Sequence, residues 1–192
     1  MKKFFLALLA LPLLGIITAC SDSDKPDVDI NISYGTDNRV VDGKVYVVAG
    51  NDFVIESVNV QAKDQSKKAA LGPVTYYLLT NDGNNKTIPL LIGTTPVEPY
   101  AMKIPTVASE TSGQTDEPGG TDTPTEPSKQ YLVSNVPIPV GIYQIQMVMP
   151  VYQVDCELAT GYVTVDVEVV ASESDLPPVQ STPQEPVSPT YK

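Results

Sequence analysis

The chain contains no histidine and no tryptophan. Without histidine, a Ser-His-Asp triad and a Cys-His dyad are excluded, and the commonest zinc ligand is missing. Without tryptophan, the best face for stacking on a sugar ring is missing, and tyrosine is left to supply one. Cysteine occurs twice, at Cys20 and Cys156. Basic residues are scarce, 12 Lys and Arg against 23 Asp and Glu, for a net charge of −11. Binding a polyanion needs a basic surface, so no nucleic-acid partner is expected. Acidity of this kind favours solubility and repulsion from like-charged surfaces. No apolar run reaches the roughly 20 residues that a helical bilayer span takes, and outside the first twenty residues no segment keeps a helical period.

What is present begins at the N-terminus. Lys2 and Lys3 precede an apolar stretch from Phe4 to Ile17, the small residues Thr18 and Ala19, and then Cys20. A charged start, a short apolar run and small residues before a cut make an export signal. The tetrapeptide Ile17-Thr18-Ala19-Cys20 resembles the lipobox of bacterial lipoproteins. The resemblance implies a signal peptide over 1–19, cleavage before Cys20, and acylation of the Cys20 sulfur by chains such as palmitate, with the membrane as partner. Each buried methylene contributes about 0.8 kcal/mol, so two or three chains hold a protein stably. Ser21 stands where an Asp would retain such a protein at the inner membrane, which points to the outer membrane of a diderm bacterium. Asp22 and Asp24 resemble the short export signal of Bacteroidetes surface lipoproteins, and the cell surface and the periplasmic face both stay open. Residues 1–19 hold two lysines and no acid, so without them the net charge is −13.

With Cys20 acylated, Cys156 stands alone and no intrachain disulfide is expected. A lone cysteine among apolar neighbours reads as a small buried hydrophobe, or less readily as a reactive thiol.

Composition divides the rest. Residues 20–27 read as an acidic tether. Residues 106–130 are rich in Thr, Ser, Gly, Pro and acid and bury too little to offset their ordering entropy, so a disordered insert is expected there. Residues 172–192 carry five prolines and read as a disordered tail. Between these, 28–171 is built from short alternating runs: Val28, Ile30 and Ile32; Tyr143, Ile145, Met147 and Met149; Val163, Val165, Val167 and Val169. Asp42-Gly43 between Arg39–Val41 and Lys44–Val48 signals a two-residue hairpin. Phe53 and Ile55 fall out of phase with Val58 and Val60 by one residue, as a β-bulge would make them. Val74–Leu79 reads as a central strand, and 81–85 as a turn. Short strands with regular turns predict an all-β fold, an antiparallel β-sandwich.

Gly141-Ile142-Tyr143-Gln144-Ile145 resembles the start of strand F in an immunoglobulin-like domain. There the tyrosine hydroxyl bonds back to the backbone at a strand corner. The resemblance implies that Ile145 replaces a disulfide cysteine and that Tyr76 or Tyr77 stands for the core tryptophan. Val74-Thr75-Tyr76-Tyr77, Leu91-Ile92-Gly93-Thr94, Glu98-Pro99-Tyr100 and Gly141-Ile142-Tyr143 are together similar to bacterial Ig-like repeats over about 45–170. Val28–Val41 lies outside that match and is expected to add an edge strand.

Candidate chemistry is sparse. The oxygens of 81–85 offer calcium ligands but equally suit a turn. Asp155 and Glu157 form a carboxylate pair two residues apart, or a solvated loop. Tyr34, Tyr46, Tyr77, Tyr100, Tyr152 and Tyr162 form a glycan platform if several share a face, and otherwise serve as core and edge cover. Met147 and Met149 read as core. No cofactor, no metal and no catalytic residue is expected. The expected role is that of a lipid-anchored adhesive or accessory module with an envelope protein or glycan partner. The alternatives are a glycan-binding surface lipoprotein and a fimbrial component.

Overall fold

The computed structural model describes residues 25–80, 86–108, 131–179 and 185–191. The expected signal peptide, Cys20, the turn at 81–85 and residues 109–130 of the expected insert lie outside the described residues. In chain order the strands are β1 (Val28–Tyr34), β2 (Arg39–Val41), β3 (Lys44–Val48), β4 (Phe53–Ala62), β5 (Ala69–Leu71), β6 (Thr75–Leu79) and β7 (Thr87–Pro89). They continue with β8 (Met102–Ile104), β9 (Thr106–Val107), β10 (Leu132–Val133), β11 (Ile138–Pro139), β12 (Gly141–Gln153), β13 (Ala159–Val170) and β14 (Thr190–Tyr191). The described helix content is a single 3₁₀ turn, Glu173–Asp175.

The strands form two main sheets, β1-β4-β8-β10 and β2-β3-β13-β12-β6-β7, with β5 on β12 and β14 on β13. Their inner faces meet in one core that joins Ile30, Phe53, Ile55 and Met102 of the first sheet to Val45, Val47, Tyr76 and Ile145 of the second. The protein is therefore an all-β sandwich. Most pairings are antiparallel, but β3 runs parallel to β13, β10 to β8 and β11 to β9. The sheets are thus mixed, not antiparallel throughout as the sequence predicts, because these pairs are closed by long connections that leave no local signature.

Alternation explains the larger sheet. Ile145, Met147, Met149 and Val151 of β12, and Val163, Val165, Val167 and Val169 of β13, all turn inward and are buried. The two strands share eleven register pairs, from Gly141↔Val169 to Val151↔Ala159. Val74–Leu79 contributes β6, which lies beside this hairpin, with β7 as the exposed edge beyond it. The centre of the sheet is β12–β13 because those strands are twice as long and bury the most side chains.

Local signals hold where they depend on two or three residues. Asp42 and Gly43 both have positive φ, 50° and 77°, as a type I′ turn requires. The phase break in β4 is a bulge: Ser33 pairs with Ser57 but Tyr34 with Ile55, which leaves Glu56 as the extra residue. β1 is an edge strand of the smaller sheet, as expected.

Tyr76 ties the layers together. Its buried hydroxyl donates to the Tyr100 carbonyl at 2.6 Å. Tyr100 has φ +62°, a left-handed conformation that costs a residue of its type roughly 1–2 kcal/mol. Its backbone is held on both sides, since Tyr100 N–H donates to the Val97 carbonyl at 2.7 Å and Val58 N–H to the Pro99 carbonyl at 3.0 Å. Of the two neighbouring tyrosines, Tyr76 is thus the one buried in the core, whereas Tyr77 faces outward. Tyr143 is half-buried, and its ring lies over Gly141, where an added Cβ would sit 3.2 Å from the hydroxyl oxygen.

Two of the segments expected to be disordered contribute to the fold. Thr106 is buried, and its hydroxyl accepts from Gly50 N–H at 2.9 Å and donates to the Asn51 carbonyl at 2.6 Å. Its polar side chain is a clamp on the β3–β4 turn, so the described insert boundary falls after Thr106–Val107. In the tail, Val187 exchanges two backbone hydrogen bonds with Ile30, at 2.8 and 2.9 Å. Thr190–Tyr191 then pairs with β13, and Pro189 is buried near Gly161. Proline-rich composition reports that a segment cannot fold by itself. It does not report a sheet edge elsewhere that will receive it.

In Tyr76→Phe the Tyr100 carbonyl is left buried without this donor, at an expected cost of about 1–3 kcal/mol. Ile145→Ala opens a cavity between the sheets and is expected to cost about 2–5 kcal/mol. Urea unfolding of the full chain measures both. Losses below about 0.5 kcal/mol, the range of neutral surface changes, would contradict this reading of the core.

Candidate functional site

The outer face of the larger sheet carries four of the six candidate tyrosines. Tyr46, Tyr77 and Tyr162 are half-exposed and Tyr152 is exposed, each alternating with buried neighbours. Tyr34 and Tyr100 do not join them. Tyr34 packs its ring 5.9 Å from Phe53, and Tyr100 is buried with its hydroxyl 3.3 Å from the Leu71 carbonyl. Burial raises the pKa of both phenols, with Glu98 adding to the effect at Tyr100.

Register fixes how far apart the outward rings lie. Tyr77 pairs with Gln146, and Tyr162 with Val148. They flank β12 from either side, about 10 Å apart across the strands. Tyr46 pairs with Glu168, six residues along β13 from Tyr162 and so about 20 Å away. Tyr152 lies four residues beyond Val148 on β12, about 13 Å away. The four share a face without forming one continuous platform. Polar pairs interrupt it: Gln144 Nε2 donates to Asp166 at 2.9 Å, and Lys44 Nζ sits 3.0 Å from Glu168 and 5.6 Å from the Tyr46 ring centre. The Glu168 hydrogen bond raises the Lys44 pKa, with partial desolvation opposing it.

A second cluster lies on the smaller sheet. Bulging turns out Glu56, whose carboxylate accepts from the Tyr131 hydroxyl at 2.7 Å. Lys103 Nζ lies 4.8 Å from the centre of the Tyr131 ring and 3.8 Å from Asp52. The hydrogen bond to Glu56 pushes Tyr131 up to about 12, with desolvation adding to it. The sequence signal for this cluster was the phase break at Glu56, but its partner is 75 residues away and carries no mark of the pairing.

The remaining candidates are solvated. Asp155 and Glu157 are both exposed in the β12–β13 turn, where Asp155 has φ +67°. Cys156, between them, is half-exposed and not the expected buried hydrophobe, because it lies in the turn between two charged residues. Met147 and Met149 are fully buried core, as expected. Among the described residues no three Cys, Asp or Glu side chains gather to hold a metal. The calcium candidate at 81–85 and the acylation candidate Cys20 lie outside the described residues.

The end of the sandwich where residues 25–27 enter is the most distinctive region. Asp27 N–H donates to the buried Gln153 side chain at 2.6 Å, and its carboxylate pairs with Lys63 at 3.0 Å. Val154 N–H donates to the Lys68 carbonyl at 3.1 Å. The tip of the β12–β13 hairpin, the β4–β5 loop and the first residues of the fold are thus gathered at one end. Tyr191 closes this end from the C-terminal side, and burial, then Asp27 and Cys156, push its phenol up to about 12.

No family model, curated protein or solved structure matches this chain.

The Glu56–Tyr131 bond gives a pH test. A folded pKa of about 12 against the ordinary 10.0 means that the fold favours the neutral phenol. This contribution is present below pH 10 and is lost as pH rises from 10 through 12. In Glu56→Gln one phenolate equivalent is expected to move from the late class towards the ordinary one in an alkaline absorbance titration. An unchanged late class would contradict the assignment.

Proposed function

We propose that this chain is a lipid-anchored envelope protein, held at the outer membrane through Cys20, which presents an immunoglobulin-like sandwich as a non-catalytic adhesive or accessory module. The observation that carries this reading is where the fold begins. Lys25–Asp27 enter the sandwich directly behind the acidic residues that follow Cys20, and Asp27 is fastened there by Gln153 and Lys63. A compact binding unit on a short leash is the arrangement a lipoprotein tether serves.

Strand neighbours support the immunoglobulin-like reading. In that architecture strand B lies between A and E, and F lies between C and G. Here β4 lies between β1 and β8, and β12 between β6 and β13. Tyr76 and Ile145, which the resemblance sets in the roles of the core tryptophan and the strand-F cysteine, are both buried. The parallel β10 beside β8 departs from the pattern. Sandwiches of this kind meet partners through exposed edges and end loops. The exposed β7 edge is available for strand addition, and the tyrosine-bearing face of the larger sheet supplies the broadest mixed polar and aromatic surface. The partner is an envelope protein or a glycan, and the fold does not choose between them.

The tyrosine spacing argues against one multi-ring glycan platform, since only Tyr77 and Tyr162 lie close enough to engage a single short sugar. A fimbrial role by strand exchange would draw on the C-terminal segment and not on β1. Val28, Ile30 and Ile32 are buried and β1 makes seven register pairs with β4, whereas the segment around Val187 is held by one isolated bridge and a two-residue strand.

Metabolic labelling with palmitate tests the anchor. The wild-type chain expressed in a diderm host is expected to take up label, and Cys20→Ser is expected to take up none and to keep its leader. Protease shaving of intact cells then reports which face the module occupies. A wild-type chain that takes up no label would overturn the proposal.

A further inference from the structure

We propose that the β12–β13 hairpin tip docks on the lipid surface that holds the anchor, so that the sandwich stands on the membrane in a defined orientation. The inference rests on acylation at Cys20 and adds what the module does once it is tethered.

The tip exposes three large apolar side chains within seven residues: Tyr152 at 47%, Val154 at 51% and Leu158 at 62%. Apolar side chains gathered at a projecting tip mark an interaction site more often than scattered ones do. A hairpin that buries its inward face so completely has no folding reason to carry Val154 and Leu158 outward at its turn.

Position names the occupant. The tip lies at the end where the chain comes in from Cys20, because Gln153 binds Asp27 and Val154 binds Lys68. Seven peptide steps lead from Cys20 to Asp27, and extended chain covers at most about 3.5 Å per residue. The near end of the sandwich is therefore held within about 25 Å of the acylated sulfur. Any surface that holds the lipid is within reach of the tip without further cost of encounter.

Charge agrees with a lipid headgroup layer. Lys25, Lys63, Lys67 and Lys68 flank the tip, four of the ten basic residues left after residue 19. The same end carries Asp27, Asp29, Asp64, Asp155 and Glu157. Within the fold this end carries four lysines against five carboxylates, a milder imbalance than the −13 of the chain beyond residue 19, although Asp22 and Asp24 precede it. Two of the acids are already engaged, Asp27 and Asp29 with Lys63 at 3.0 and 3.9 Å. Lys67 and Lys68 are left at the rim of the apolar tip, the arrangement in which lysine stems lie along lipid and their heads meet phosphate. Tyrosine at the edge of such a tip suits the same interface.

The absence of tryptophan makes the test clean, since Leu158→Trp supplies the only indole in the chain. The full chain, produced in a diderm host, is reconstituted into phosphatidylethanolamine–phosphatidylglycerol vesicles containing brominated lipid. Val154→Trp serves as a second probe at the tip. Ile142→Trp serves as the control, exposed at 61% at the opposite end of β12. Blue-shifted, bromine-quenched emission from both tip probes, with unshifted and unquenched emission from the control, is the expected result. Unquenched tip probes in a chain that floats with the vesicles and shows acyl mass on its Cys20 peptide would overturn the docking while the anchor stands. Equal quenching of tip and control would overturn the orientation and with it the proposal. A chain that neither floats nor carries acyl mass would overturn the anchor and the docking together.

Discussion

The constraint on which the rest of the structure depends is the length of the β12–β13 hairpin. Eleven consecutive register pairs set four side chains of each strand against the core, and none of those eight is left to solvent. Everything else is added to this ribbon. β6 and β5 pair on one side of it, and β3 and β14 share the other side, β3 at Asp166–Val170 and β14 at Gly161–Tyr162. The smaller sheet then closes over the apolar floor. Burial of this kind is non-directional, so it requires only that inward positions be apolar and fill the space between the layers. Direction comes from a few polar groups, of which the Tyr76 hydroxyl on the Tyr100 carbonyl and the Thr106 hydroxyl on the β3–β4 turn are the clearest.

How much of this was legible in the sequence follows from the range over which each feature is determined. The inward sets of β1, β12 and β13, the Asp42-Gly43 turn and the bulge in β4 are all written within ten residues, and each is found where the pattern places it. The parallel partner of β13, the clamp made by Thr106 and the seat taken by the C-terminal segment join positions separated by 55 residues or more. Nothing local marks them. Thr106 looks like the start of a polar linker because its hydroxyl is polar, and it is buried for that same reason, to satisfy the orphan groups of a turn. The tyrosines show the same division. Six of the ten tyrosines are candidates in the sequence, but only the fold reveals that Tyr34 and Tyr100 pack inward and that the other four are spread along the sheet. The tether-end cluster was legible only in parts: Cys20 and the acidic residues after it are plain in sequence, whereas the meeting of Asp27 with Gln153 is a product of the fold.

Fold and proposed role meet in the same hairpin. Its inward face is fully buried, and its tip carries three exposed large apolar side chains. The tip is brought to the tether end by the same register that aligns the core. A spine built this way transmits orientation: whatever fixes the tip also fixes the direction in which the outer face of the larger sheet and the β7 edge are presented. An anchor alone would hold the module near a membrane without choosing that direction.

Native-state hydrogen exchange tests the claim that the hairpin is the spine. The slowest amides are predicted to be those of Ile145–Val151 and Val163–Val169, exchanging only through global unfolding. The turn at 154–158 is predicted to exchange fast. Slower exchange in β1 and β4 than in β12 and β13 would place the organising element in the smaller sheet and contradict the account.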